Sequence, residues 1–201
     1  MIHWEFSGMR LRLLTVVMIF LCCVPVVAQV KPAAFSGGNS KLSVGAGVDY
    51  WKGDWGQIKR YGPSAWVVDE FWHGLGVTAE GYSMMAGGAN PAPAYKFFVG
   101  QGGVIYVYHW HRLGHRLAPY AKGELGFGGL SWPHKTTATY VHDTRTTWAM
   151  GGGVEFKLWS HIWLRGDYTY EGFPDFLSPV TLQHHTLNPS GFAAGVTYHL
   201  R

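Results

Sequence analysis

Nine charged residues stand at alternate positions in strand-like segments of this chain, and their types and spacing could do chemistry. They are Asp49, Glu80, Lys122, Glu124, Glu155, Lys157, Arg165, Asp167 and Glu171. The pattern is plainest between 161 and 172, where charged residues alternate with Ile162, Leu164 and Tyr168. This period of two predicts a strand with one apolar and one charged face. On a shared face, acids beside bases would form ion pairs, whereas two close carboxylates could carry acid–base catalysis.

Histidines form a second candidate site. His109, His111 and His115 lie within seven residues of one another, and imidazole nitrogens at such spacing can share Zn²⁺ or Cu²⁺. No cysteine or fixed carboxylate nearby in the sequence completes a ligand set. We therefore expect no metal and no other cofactor, and the three histidines remain weak metal candidates.

Aromatic and cationic residues mark a third candidate site, in the segments between the predicted strands. These residues are Lys52, Trp55, Lys59, Arg60, Trp132, Lys135 and Arg145. A mixed aromatic and cationic surface suits anionic lipopolysaccharide, sugars or a protein partner. Loops held in water beside charged headgroups would have the same composition without any ligand, so both interpretations stay open.

The elements that position these residues begin after an export signal. Arg10 and Arg12 precede an apolar run from 13 to 27, which ends in small residues before Gln29. We interpret 1–28 as a signal peptide, 29–40 as a flexible leader and 41–201 as one domain. A membrane anchor is the alternative, but a spanning helix needs about 20 apolar residues. Both cysteines, Cys22 and Cys23, fall inside the signal, so no disulfide is expected.

Composition narrows the class of protein. Aromatic residues make up 16% of the chain and charged residues only 14%, with 28 glycines. Few charges and many aromatics and glycines fit a sheet with one face in lipid. The net charge of +4 is too small and dispersed to indicate a nucleic-acid partner.

Eight strands follow the leader. They are predicted at 41–51, 64–72, 74–84, 98–110, 119–128, 146–158, 161–172 and 191–200. The connections alternate long and short, at 52–63, 73, 85–97, 111–118, 129–145, 159–160 and 173–190. Outer-membrane barrels keep short periplasmic turns and long outside loops, so this alternation predicts an all-β, eight-stranded antiparallel up-and-down transmembrane β-barrel. The phase of the second and fourth strands stays open.

Aromatic residues near the strand ends predict two girdles at the membrane surfaces. The outer girdle would contain Tyr50, Trp51, Trp66, Phe98, Trp148, Tyr168 and Tyr170. The periplasmic girdle would contain Trp72, Tyr108, Trp110, Phe156, Trp159 and Tyr198.

With these features the chain resembles the small eight-stranded outer-membrane barrels of the OmpA/OmpX type, over residues 41–201 and without a peptidoglycan-binding domain. Gly195, Tyr198 and Leu200 match the Gly-x-x-aromatic-x-hydrophobic spacing that the barrel-insertion machinery reads in such proteins. The resemblance implies a location in the bacterial outer membrane. It also implies contact with membrane lipid and lipopolysaccharide, and insertion by that machinery.

The functional expectation follows from the width of the barrel. An eight-stranded lumen is just filled by side chains, so the nine charged residues are expected to fill it as ion pairs. We expect a monomer with a structural or surface-interaction role, such as adhesion to an extracellular ligand, and assign no catalytic residue. A small channel and a lipid A-modifying enzyme remain further alternatives.

A soluble secreted lipocalin-like ligand-binding barrel is the main alternative. It would carry its apolar residues inside and its charges outside, so burial of the strand at 161–172 distinguishes the two.

Overall fold

The computed structural model describes residues 41–52, 59–86, 96–110, 116–133, 140–177 and 184–200. The predicted signal peptide and leader lie outside these ranges, as do Trp55, His111, His115 and Lys135. Within them, no helix is long and apolar enough to cross a membrane.

The described chain forms nine strands. They are β1 (Lys41–Lys52), β2 (Lys59–Trp72), β3 (Leu75–Ala86), β4 (Lys96–Val107), β5 (Leu117–Pro133), β6 (Tyr140–Lys157), β7 (Ile162–Leu177), β8 (His184–Leu187) and β9 (Ser190–His199). The eight predicted strands are confirmed as β1 to β7 and β9. The sequence prediction missed β8, which has four residues and lies inside the predicted loop 173–190.

The sheet closes on itself. Each of β1 to β7 pairs antiparallel with the next, β9 pairs with β7, and β1 pairs with β9 from Ser43↔His199 to Lys52↔Ser190. Strand β8 pairs only with the outer part of β7, in a separate ladder. Closure gives each barrel strand a partner on both sides, which is what hydrocarbon surroundings demand of a sheet; the outer part of β6, at 140–147, pairs with β5 alone.

The outer ends of β5 and β6 correct the predicted loop at 129–145. Their ladder continues to Pro133↔Tyr140, so most of that segment is an extended hairpin. The predicted strand ends at Gly128, next to Gly129. A Cβ on either glycine would lie 2.3 Å from a phenylalanine ring, of Phe173 and Phe98 respectively. These glycines therefore make room for rings and do not end the strand.

The predicted contrast in connection length is weaker than expected. The turn between β2 and β3 is short, as predicted, but the connection between β4 and β5 runs from 108 to 116. It is as long as the outer connection from 87 to 95. The strands are longer at the outer end than predicted, so the loops there are shorter. The difference in length between outer and periplasmic connections is therefore small.

Burial along β7 decides between the membrane barrel and the soluble barrel. Leu164 on the outer face is 44% exposed, whereas Arg165 is 3% exposed and Glu171 is fully buried. The lipocalin-like alternative is therefore wrong, because the charges lie inside and the apolar side chains outside. The same alternation holds in β1, where Val44 and Val48 are exposed and Asp49 is buried.

The structure settles the phase of the second and fourth strands. In β2, Val67 faces outward and Val68 inward. In β4, Val104 faces outward, whereas Ile105 and Val107 face inward. Apolar side chains thus also enter the lumen, and they collect in two clusters. The outer-end cluster contains Trp51, Tyr82, Met84, Phe97, Val99, Leu130, Phe173 and Leu187. The periplasmic-end cluster contains Trp66, Val68, Ile105, Val107, Ala118, Tyr120 and Trp163.

Two residues of the predicted outer girdle are misplaced. Trp51 and Trp66 are inside the barrel, at 4% and 3% exposure. Side chains two apart on a strand share a face, so Trp51 shares the inward face of Asp49 and only its neighbour Tyr50 can point outward. The periplasmic girdle is exposed on the surface throughout, from Trp72 to Tyr198.

Candidate functional site

Arg165 on β7 lies at the centre of the lumen. Its Nε donates to Asp167 Oδ2 at 3.0 Å, and its Nη2 lies 3.5 Å from Glu80 Oε2. The guanidinium carbon is 4.5 Å from the centroid of the Trp66 ring and 4.7 Å from that of Tyr120. A planar cation is therefore held between two aromatic rings and two carboxylates, a geometry that suits arginine and not lysine.

Lys122 on β5 extends this arrangement. Its Nζ is 2.5 Å from Glu80 Oε2 and 3.4 Å from Glu124 Oε2. Because Glu80 contacts both cations, five of the nine predicted lumen residues form one connected ion-pair cluster. We call Glu80, Lys122, Glu124, Arg165 and Asp167 the central cluster. All of its members are buried, so removal of one partner would leave an uncompensated buried charge.

Two further predicted carboxylates are held by neutral donors. Tyr82 Oη donates to Glu171 Oε2, and Ser64 Oγ donates to Asp49 Oδ1 at 2.7 Å. Gln101 Nε2 lies within hydrogen-bond distance of both Glu171 (3.1 Å) and Glu124 (3.2 Å), so it links Glu171 to the central cluster.

Sequence reasoning missed these donors, namely Ser64, Tyr82 and Gln101. Tyr82 could have been found from the sequence, because it stands two residues from Glu80 and therefore on the same face of β3. Gln101 could be found only once the phase of the fourth strand was known.

The periplasmic mouth has its own polar contacts. Glu155 accepts from Thr197 Oγ1 at 3.0 Å and lies 3.1 Å from His199 Nε2. Glu70 lies 2.8 Å from His109 Nε2 and 3.3 Å from Lys41 Nζ. The remaining predicted lumen residue, Lys157, is half-buried at this mouth, with its Nζ 5.9 Å from the centroid of the Trp163 ring.

Trp66 connects the central cluster to the seam of the barrel between β1 and β9. Its Nε1 donates to Thr197 Oγ1 at 3.1 Å. A Cβ on Gly45 would lie 2.3 Å from the indole, and a Cβ on Gly195 would lie 2.6 Å from it. Glycine at these two inward positions thus lets the indole lie flat against the backbone, beneath the guanidinium of Arg165.

Two small cavities lie beside these contacts in the described part of the barrel. A cavity of about 20 Å³ lies at the periplasmic end, between Lys41, Glu70 and Tyr120. Another, of about 10 Å³, lies at the outer end beside Trp51 and Leu187. Each is close to the volume that one water molecule occupies.

Of the three histidines predicted as weak metal candidates, only His109 lies within the described residues, and it contacts Glu70 and Lys41. Within the described ranges, no group of three or more histidine, cysteine or acidic residues is arranged to hold a metal ion.

The aromatic and cationic residues predicted as a binding surface at the outer end do not form one cluster. Lys52 is exposed at the end of β1, opposite Lys59 in the register. Arg60 lies with its guanidinium carbon 5.5 Å from the centroid of the Phe97 ring. Arg145 is held by Asp143 at 2.9 Å and by Asp175 at 3.3 Å. Trp132 lies in β5 near its outer end.

The insertion-signal residues lie on and just after β9, which pairs with β1 and β7. Gly195 faces the lumen under Trp66, whereas Tyr198 and Leu200 are exposed on the outer face. Their recognition by the insertion machinery stays a prediction.

Arg165→Gln tests the central cluster. The change leaves Asp167 and Glu80 without their shared buried cation, so the free energy of unfolding should fall by about 3–5 kcal/mol. Arg145→Gln makes the same substitution at the outer end, where Arg145 is half-buried and its partner Asp175 is exposed, and should cost no more than about 1 kcal/mol. Urea titration in detergent micelles, followed by tryptophan fluorescence, measures both values. Equal losses in the two variants would contradict the assignment.

Gly45→Ala tests the packing of the Trp66 indole against the backbone of β1. The three atoms nearest to the added methyl group all belong to the indole, at 2.3–2.6 Å, so the variant should be destabilised in the native background. In a Trp66→Ala background the same change should cost less, because the obstructing ring is gone. A double-mutant cycle of unfolding free energies measures this coupling. Additive effects would show that the indole does not constrain residue 45.

Comparison with known proteins agrees with the fold. The model of the outer membrane protein beta-barrel domain family matches residues 14–199. Neisserial surface protein A (NspA) superposes with a TM-score of 0.62 at 14% identity, over 79% of this chain and 96% of that chain. OprG of Pseudomonas aeruginosa superposes with a TM-score of 0.51 at 11% identity, over 81% and 96% of the two chains.

Ail, the attachment invasion locus protein of Yersinia pestis, is similar as well. It superposes with a TM-score of 0.50 at 16% identity, over 80% of this chain and 97% of that chain. Among curated proteins, none matches this sequence. At these identities the solved structures show a shared fold, and the family model covers nearly the whole chain. The protein therefore belongs to the outer membrane protein β-barrel domain family and lies in the bacterial outer membrane.

Proposed function

We propose that this protein is a non-conducting, non-catalytic barrel whose outer end binds an anionic saccharide at the cell surface. The observation that carries the proposal is the filling of the lumen. Charged side chains occupy its middle, and apolar clusters occupy both ends. A role in passing solutes is therefore disfavoured. This favours a binding role for the surface that faces outward.

The lumen acts as a plug in this proposal. A solute would have to displace Trp51 and Phe173 at one end and Trp66 and Trp163 at the other, all of them buried. It would also have to break the ion pairs of the central cluster, whose charges depend on one another for compensation. Both barriers support a structural role for the nine lumen charges.

The outer end is cationic. The four outward connections and their strand ends contain six lysines and arginines against three aspartates. Lys52 and Lys59 are partners in the register of β1 with β2. An anionic ligand, such as the sugar–phosphate of lipopolysaccharide or a sulfated polysaccharide, would compensate the positive charge of this end.

One structural neighbour supports the class of ligand. Ail of Yersinia pestis has been solved in complex with the heparin analogue sucrose octasulfate, and it superposes with a TM-score of 0.52 at 16% identity. That finding concerns Ail, and it supports the class of ligand that we propose for this protein.

Planar-bilayer recording tests the plug. The purified folded protein should give no steady conductance, because its interior cavities hold about one water molecule each. Heat-modifiable migration on gels verifies that the inserted protein is folded. Steady single-channel steps from the folded protein would overturn the proposed plug.

Lys52→Gln combined with Lys59→Gln tests the saccharide site. Binding of the folded protein to immobilised heparin should weaken about tenfold, because two lysines of the outer end lose their charge. The control, Arg116→Gln with Lys157→Gln, removes the same charge at the opposite end and should bind as the unchanged protein does. Equal weakening in both variants would mean that net charge, and not the outer end, attracts the polysaccharide.

A further inference from the structure

A groove of about 510 Å³ opens beside the turn between β6 and β7, at the end of the barrel where the described chain starts and finishes. Its lining residues are Arg116, Phe156, Lys157, Leu158, Trp159 and Ser160. Outer-membrane barrels hold this end in the periplasm. The groove therefore lies where the periplasmic leaflet meets water.

Backbone hydrogen bonds fix the walls of the groove. The amides of Leu158 and Trp159 both donate to the carbonyl of Ile162, at 2.9 and 3.1 Å, which closes the turn. The amide of Lys157 donates to the carbonyl of Arg116 at 2.8 Å. This last bond ties the segment that leads into β5 to the end of β6, so the two cations are held side by side.

The groove has an apolar side and a cationic side. Phe156 and Leu158 continue the lipid-facing surface of the barrel, and Trp159 is 67% exposed. Arg116 is exposed and Lys157 is half-buried. No carboxylate lines the groove, since the neighbouring acid on β6, Glu155, turns inward to Thr197 and His199.

Charge distribution around this end makes the groove distinctive among described features. At the mouth of the lumen, Lys41 and His109 are already compensated by Glu70. Arg116 and Lys157 stand on the same faces of their strands as the buried Ala118 and Glu155, but they lie at the rim, where both line the groove beside apolar and aromatic side chains. An occupant must therefore bring its own negative charge and its own apolar surface.

We propose that this groove binds one anionic phospholipid of the periplasmic leaflet. The phosphate would lie against Arg116 and Lys157, and the glycerol and first acyl carbons would lie along Phe156, Leu158 and Trp159. Guanidinium and ammonium groups are the usual partners of phosphate, and tryptophan favours the headgroup level of a bilayer. Two cations without a carboxylate select a lipid with net negative charge, such as phosphatidylglycerol, over zwitterionic phosphatidylethanolamine.

Lipid retention measures this selectivity. The folded protein is released from nanodiscs of equal phosphatidylglycerol and phosphatidylethanolamine, and bound lipid is counted by native mass spectrometry. The unchanged protein should retain phosphatidylglycerol preferentially. Arg116→Gln with Lys157→Gln should reduce that preference about thirtyfold, because each of the two basic residues strengthens the binding of anionic lipid about fivefold. The control, Lys52→Gln with Lys59→Gln at the outer end, should retain the preference.

Trp159→Ser separates a lipid from free phosphate. This variant should retain less phosphatidylglycerol than the unchanged protein, while 10-fold excess inorganic phosphate should fail to displace the lipid from the unchanged protein. The proposal is overturned if phosphate displaces the lipid, if the groove variants retain the original preference, or if the outer-end control loses it equally. All variants must first show heat-modifiable migration, so that an unfolded protein is not counted.

Discussion

The burial of Arg165 is the constraint on which the rest of the barrel depends. A guanidinium in a lumen of fixed width must find carboxylates in place of water, and Asp167 and Glu80 supply them. Glu80 in turn requires Lys122, which requires Glu124. One buried cation thus determines the inward residues of β3, β5 and β7 together.

The aromatic rings around that cation explain the glycines. Trp66 and Tyr120 flank the guanidinium, and the Trp66 indole needs the space that Gly45 and Gly195 leave. In a narrow barrel a large inward ring on one strand must be matched by the absence of a side chain on another. Glycine is therefore abundant in this chain partly because its lumen contains tryptophan and phenylalanine.

Alternation along single strands was enough to predict the barrel and the direction of its charges. Arg165, Asp167 and Glu171 lie within one strand, where a period of two is visible in the sequence. The partners were not predictable in this way. Gln101 and Ser64 reach Glu171 and Asp49 through register between strands, and the inward position of Trp66 depends on the phase of the second strand, which the sequence left open. Strand β8 was not predicted, because four residues are too few to show a clear period of two.

The seam between β1 and β9 implies an order of assembly. The bond from Trp66 to Thr197 joins residues 131 positions apart, so it can form only when the two ends of the barrel meet. Contacts so distant in sequence carry a large loop-closure cost and form late. Until then, the charges of the central cluster stand on an open, wetted sheet. Loss of their water and closure of the sheet should therefore be a single event, so the slowest step of folding is also the one that dries the lumen.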